Sequence, residues 1–278
     1  MSMSDWLKRN VDPLLIAKKR VLMVEGEDDK RVHEVWLDKL AGGRGSGRTP
    51  NVVAPGQKGQ IVRYLKLRPD AVTRGMLFGI VDRDDWDPAE TARQLAETPG
   101  LRVNPARHTL ESYFCNLDDL QSALSDSSLL QGPATGKAIA KIAKAEIAGW
   151  VNHWALWTTL ERLKNRMADA AYPDAFHTDL ALPPDVKIKA KLIEWSGMID
   201  VDRVMRDFRR LRKNSLKADL LEQLGSCIHA KKVFPKYVVE LNKLKSEIKS
   251  DEWMPKLAEW MPSVPPDIAA ILEPLLAP

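Results

Sequence analysis

The chain is poor in cysteine, with two residues in 278, Cys115 and Cys227. They are far apart and lack metal-ligand spacing, so neither a disulfide framework nor a structural zinc site organises the fold, and two free thiols in a cytoplasmic protein are expected. No run approaches eighteen apolar residues, so no membrane span is expected. Residues 1–20 contain Asp5, Asp12 and several basic residues but no apolar signal core, which argues against secretion. A Gly-x-x-x-x-Gly-Lys-[Ser/Thr] loop is missing, so any nucleotide hydrolysis would have to come from another chain. Neither charge sign dominates: 42 Lys and Arg stand against 38 Asp and Glu. The excess of +4 lies wholly in residues 131–278, which makes the second half the first place to look for contact with a polyanion.

What is present is an ordinary globular composition, 44% apolar and 29% charged, long enough for one large domain or two smaller ones. Two apolar runs end abruptly in carboxylates. Arg20 to Val24 reads as a buried strand running into Glu25-Gly26-Glu27-Asp28-Asp29. Met76 to Val81 is a second such run and ends in Asp82-Arg83-Asp84-Asp85. Around them the period alternates. A helical lead-in covers residues 2–19, a helix Asp28 to Leu40, a strand Asn51 to Ala54 and a helix Gln57 to Leu67. A helix follows from Pro88, capped by Asp87, to about Glu97, then a short strand Leu101 to Asn104. This β-α-β-α-β-α-β order predicts a parallel sheet covered on both faces. The glycine-rich stretch 41–50 follows a helix rather than a strand, so it reads as a connection and not as a phosphate cradle.

Beyond about residue 116 the period is helical, over Leu117 to Leu124, Lys137 to Met167, Asp185 to Trp195 and Asp200 to Leu224, with turns at Gly132-Pro133, Tyr172-Pro173 and Pro183-Pro184. A last helix is expected near Val238 to Ile248, followed by a proline-rich tail from Pro255 to Pro278. No internal repeat is found.

In open α/β sheets ligands bind beyond the carboxyl ends of the strands, where the two acidic runs would meet. Glu25, Asp82 and Asp84 there would suit a hard divalent ion such as Mg²⁺ or Mn²⁺, with Asp29 reaching back from the first turn of the next helix. Capping of helices accounts for Asp28, Asp29 or Asp87 taken singly. It does not account for Glu25 together with the Asp82/Asp84 pair.

Val24-Glu25-Gly26-x-x-Asp29, followed after a β-α-β interval by Val81-Asp82-Arg83-Asp84, resembles the Toprim domain of topoisomerases, bacterial primases, recombination mediators and the OLD family of nucleases. The resemblance covers about residues 18 to 115. Arg107-His108-x-Leu110-Glu111-Ser112-Tyr113 is similar to a segment of small Toprim-like proteins that include the toxin subunit of the PARIS phage-defence system. Ile228-His229-Ala230-Lys231-Lys232 resembles their later Gly-Lys-Asp segment, with Ala230 in place of the glycine. The resemblance implies a Toprim-like catalytic domain over residues 1–125, and a helical region over 126–278 in which Ile228 to Lys232 returns to the catalytic site. Glu25, Asp29, Asp82, Asp84 and Glu111 would be the metal ligands, and Lys231 would steady the scissile phosphate. It further implies a Mg²⁺- or Mn²⁺-dependent nuclease of antiviral defence, held in check by a separate ABC-type ATPase sensor. His108 and His229 are near enough in sequence to these motifs to assist proton transfer, although bystander roles suit them better.

Two other activities are open. One is a non-catalytic Toprim-like module that bridges nucleic acid to a protein partner in recombination or repair. The other is strand or nucleotidyl transfer, but none of Tyr64, Tyr113, Tyr172 and Tyr237 stands in a catalytic context. Asp202 to Lys217 places Arg206, Arg209, Arg210 and Lys213 on a basic stripe opposite Val204, Phe208 and Leu211, a pattern that suits DNA or RNA backbone. Trp150, Trp154 and Trp157 form a stripe that reads as core or partner interface, possible in a homodimer, rather than a base-stacking platform.

Overall fold

The structure is a computed structural model, described here for residues 3–43, 47–83, 86, 88–104, 109–125, 128–166, 183–195 and 200–276. Four parallel strands, β1 (Val21–Met23), β2 (Asn51–Val53), β3 (Leu77–Val81) and β4 (Leu101–Val103), form one sheet in the order β2-β1-β3-β4. The register sets Val21 beside Asn51 and Leu77, and Gly79 beside Leu101. The chain moves outward from β1 to β2, then crosses back to β3 on the other side. The sheet therefore has its switch point between β1 and β3, the place where open α/β sheets bind ligands.

Strand alternation sorts the core into two layers. Val21, Met23, Leu77, Val81, Leu101 and Val103 face one side, where they pack against Leu7 of α1 (Met3–Asn10), Val11, and Ile61 and Leu65 of α4 (Lys58–Leu67). Between these helices lie α2 (Asp12–Ile16) and α3 (Glu27–Leu40) in sequence, and α5 (Pro69–Thr73) follows. Leu22, Val24, Val52, Phe78 and Ile80 face the other side, against Val32, Trp36 and Leu37 of α3. Gly79 is where α4 lies closest to the sheet. A Cβ there would come within 2.4 Å of Ile61 Cγ2 and 3.1 Å of Leu65 Cδ1, so a larger residue fits only if those side chains or the helix carrying them move.

After α6 (Pro88–Glu97) and β4, the chain forms α7 (Glu111–Cys115), α8 (Leu117–Leu124) and the 35-residue α9 (Gly132–Arg166). Gly132-Pro133, expected as a turn between helices, starts α9 itself, since proline is compatible with a helical first turn. Gly132 is tightly placed: a Cβ would sit 2.1 Å from the Leu124 carbonyl oxygen. The expected helix over Asp200 to Leu224 divides into α11 (Val201–Lys217) and α12 (Leu220–Ser226), after α10 (Asp185–Trp195). The break comes where the Asp219 carboxylate accepts the Glu222 N–H at 2.9 Å and caps a new helix.

Two expectations for the C-terminal part are corrected. The last long helix, α13, runs over Ala230–Leu244, beginning eight residues before the expected start and continuing through Pro235. The stretch read as a proline-rich tail is folded: it forms α14 (Trp253–Trp260) and α15 (Pro266–Leu272), with prolines in the turns and first helical positions. Trp253, Leu257, Ile268, Leu272 and Leu275 are fully buried and close the core over α3. The α9 tryptophans join the same core. Trp150 and Trp154 are buried, and Trp157 sets its ring edge-on to His229 at 4.6 Å.

Candidate active site

Glu25 lies two residues beyond β1 and Asp82 directly beyond β3, so neighbouring strands deliver both to the switch-point crevice. They meet through a backbone contact: the Asp82 N–H donates to Glu25 Oε1 at 2.7 Å. Asp82 is 4% exposed, and its carboxylate is held from three directions. Asn104, directly beyond β4, donates its Nδ2–H to Oδ1 at 2.7 Å, and the Leu110 N–H donates to the same oxygen at 3.0 Å. Lys231 Nζ lies 3.2 Å from Oδ2. Lys231 comes from the first turn of α13, so a residue 149 positions away in sequence supplies a cation to Asp82.

Asp29, in the first turn of α3, accepts the Gly26 N–H at 2.9 Å on Oδ2 and so caps its own helix. It also belongs to the acid cluster. Burial, then the charge of Glu111 and that of Glu25, push its carboxyl up to about 7, against the Gly26 N–H and the Lys231 charge, which both lower it. Glu111 opens α7 and shares a cavity wall with Lys231. Thus Glu25, Asp29, Asp82, Glu111 and Lys231, from five separate segments, converge on one crevice. Asp84 and His108 lie outside the described residues. His229 packs against Trp157 and, at 6.4 Å between rings, against His153.

Beneath the cluster, His33 is buried and donates Nδ1–H to the Asp29 carbonyl at 2.7 Å. Burial depresses its pKa to about 4, with the bond to Asp29 opposing, so the imidazole is neutral. Arg83 follows Asp82, and burial and then the charge of Arg162 from α9 lower its guanidinium pKa, with Tyr113 opposing. Three features went unseen in the sequence: the Asn104 amide, the Leu110 N–H and the proximity of the like charges of Arg83 and Arg162. A polar residue ending the fourth strand was a readable signal for Asn104. Nothing local marks the other two, because they depend on how remote segments dock.

The donor set is entirely oxygen, which suits Mg²⁺ or Mn²⁺ rather than softer metals. Raising of Asp29 by two neighbouring acids marks a repulsion that a divalent cation at the cluster would relieve. Among the described residues, no three His, Cys, Asp or Glu side chains are already gathered closely enough to hold an ion. Glu25, Asp29 and Asp82 each turn toward a backbone N–H instead.

The basic helix α11 packs along α9 with Val204 and Phe208 buried. Arg206, Arg209, Arg210 and Lys213 face solvent. Two of them already have acidic neighbours: Arg209 pairs with Asp185 at 3.0 Å and Arg210 with Asp207 at 2.9 Å. No protein-family model matches the chain, and no curated protein matches it.

Proposed function

We propose that the protein is a Toprim-like, divalent-metal-dependent phosphodiesterase that cleaves DNA or RNA. The observation that carries this reading is the convergence of Glu25, Asp29, Asp82 and Glu111 with Lys231 beyond the ends of β1 and β3. Parallel strand ends at a switch point are where such folds place chemistry. Glu25, Asp29, Asp82 and Glu111, with Asp84, would hold the metal. When bound, Mg²⁺ or Mn²⁺ would activate a water and neutralise charge on the phosphate and leaving oxygen.

The chain's own residues set the stage for that chemistry. Asn104 and the Leu110 N–H lock the Asp82 carboxylate in one rotamer through Oδ1, which leaves Oδ2 facing Lys231. Lys231 is partly exposed, so its ammonium can exchange the Asp82 contact for a non-bridging phosphate oxygen and stabilise negative charge developing there. The α11 stripe would hold the flanking backbone through salt-sensitive contacts. The chain would act beside a separate ATPase sensor that restrains it in antiviral defence, a setting drawn from the family resemblance alone.

The test is cleavage of a panel of DNA and RNA substrates with Mg²⁺ or Mn²⁺, with and without a neighbouring ATPase. Glu25→Gln and Asp82→Asn preserve hydrogen-bond acceptors while removing charge, and each is expected to cut cleavage at least 100-fold, an effect on the order of that for losing one catalytic electrostatic group. Undiminished cleavage by both variants would sink the assignment. One observation favours a second reading, a non-catalytic nucleic-acid-binding module: three of the acids serve as acceptors for backbone N–H groups, which is a structural duty. Under that reading the strand binds and no metal supports cleavage.

A further inference from the structure

Lys231 and Glu111 border a second space. Beside the acid cluster opens a slot of about 310 Å³, lined by Phe234 and Val238 of α13 and Met254 of α14, all buried. Val239, 59% exposed, marks its solvent side. Asn242, one turn beyond Val238, accepts the Trp253 Nε1–H on Oδ1 at 2.6 Å, which leaves the amide NH₂ to act as donor. Pro235, Ser250, Asp28 and Asp251 complete the lining, and the two aspartates both bind Arg31, at 2.6 and 3.2 Å.

Size and charge together select the occupant. The volume is at the small end of ligand cavities, which run from about 300 to 1,000 Å³, so it admits one planar ring system and excludes a duplex. Phe234, Pro235, Val238, Val239 and Met254 give the slot an apolar side, and the carboxylates of Asp28, Glu111 and Asp251, only one of whose charges Arg31 offsets, disfavour a phosphate in the interior. The Lys231 ammonium faces the acid cluster instead. A neutral flat group covalently joined to a phosphate satisfies both ends. We infer that the slot takes one unstacked nucleobase next to the phosphate held at Lys231, so that the substrate is single-stranded or locally unpaired nucleic acid. Asn242 then favours a base that presents an acceptor on its edge, such as a guanine or pyrimidine carbonyl. This inference rests on the phosphodiesterase reading for its phosphate, and on the slot itself for its base.

Binding in EDTA separates the two claims, because no cleavage intervenes. Labelled short single strands of DNA and RNA, their duplexes, and the same strands made abasic throughout are titrated with the full chain. The intact single strand is expected to bind at least about tenfold tighter than the duplex or the abasic strand. Val239→Trp, which fills the slot from its solvent side, should weaken the intact strand about tenfold and leave the abasic strand unchanged. Asn242→Asp keeps the acceptor for Trp253, removes the donor, and should alter the preference among bases. Equal binding of intact and abasic strands by the wild type overturns the slot, whatever the variants do. Base-dependent binding without cleavage under any divalent metal overturns the phosphodiesterase reading alone. Cleavage indifferent to the presence of bases overturns the slot alone, and failure to bind any strand overturns both.

Discussion

At the scale of single residues, two buried groups pull stability in opposite directions with pH. Asp29 has a folded pKa of about 7, above its ordinary 3.8. Its stabilising contribution is complete in acid and is lost as pH rises through about 7. His33 has a folded pKa of about 4, below its ordinary 6.5. Its contribution is complete above 6.5 and is lost as pH falls toward 4, an effect of about 3 kcal/mol for a fully buried imidazole. Between pH 4 and 6.5 the two largely cancel; above that range only Asp29 remains. Metal-free Asp29→Asn, which keeps the acceptor for Gly26, should therefore melt several degrees above the wild type at pH 8, by a smaller margin at pH 5, and close to it only as pH falls to about 3.8. Addition of Mg²⁺ at pH 8 should raise the wild-type melting temperature and leave that of Asp29→Asn nearly unchanged. Identical melting curves for the two proteins across this range would remove Asp29 from the cluster. Lys231→Met tests the other end of the site. With Lys231 42% exposed, its ion pair with Asp82 is partly screened, so a stability loss of only about 1 kcal/mol is expected beside a loss of cleavage of about 100-fold. A large melting shift with normal cleavage would make Lys231 a structural residue.

At the scale of elements, the site depends on how closely helices sit on the sheet. α4 rests on β3 at Gly79, and β3 is the strand that presents Asp82. Gly79→Ala forces Ile61 and Leu65 to move and should cost about 1–3 kcal/mol, the usual range for overpacking. A thermal melt reads this as a drop of several degrees. An unchanged melting temperature would mean that α4 shifts without penalty. α13 shows how an element can be hidden by its own sequence. Pro235 provides no N–H for the Lys231 carbonyl four residues earlier, so the helix looks broken where it is continuous. Buried Val233, Phe234, Tyr237, Val238 and Leu241 hold it together across the proline, and that packing outweighs one lost hydrogen bond.

At the scale of the whole molecule, the C-terminal segment completes the core rather than trailing from it. Removal of residues 253–278 would expose α3 and strip Trp253, Leu257, Ile268 and Leu272 from the hydrophobic cluster. The truncated chain is expected to be insoluble or to lack a cooperative melt; a cooperative melt at wild-type temperature would show that the segment is dispensable. Long-range charge acts at this scale too. Replacing Arg206 and Lys213 by glutamine should weaken strand binding evenly across sequences. The slope of log affinity against log salt should fall by about 0.7 per contact for a single strand. A slope that does not change would take α11 out of the nucleic-acid interface.

The alternating period of residues 18–115 was enough to specify parallel strands with acids at their ends, because strand burial and capping are local consequences of residue type. Glu25, Asp29 and Asp82 were legible for that reason. Lys231 and Glu111 were expected from the family resemblance and not from any local period; what only the tertiary structure decided is how they approach the acids, along with Asn104 and the Leu110 N–H on Asp82 and the slot between α13 and α14. Those contacts join segments up to 149 positions apart, and no local period encodes them. They are set by the strand order β2-β1-β3-β4 and by the apolar face on which the helical half closes, with its final prolines folded into turns.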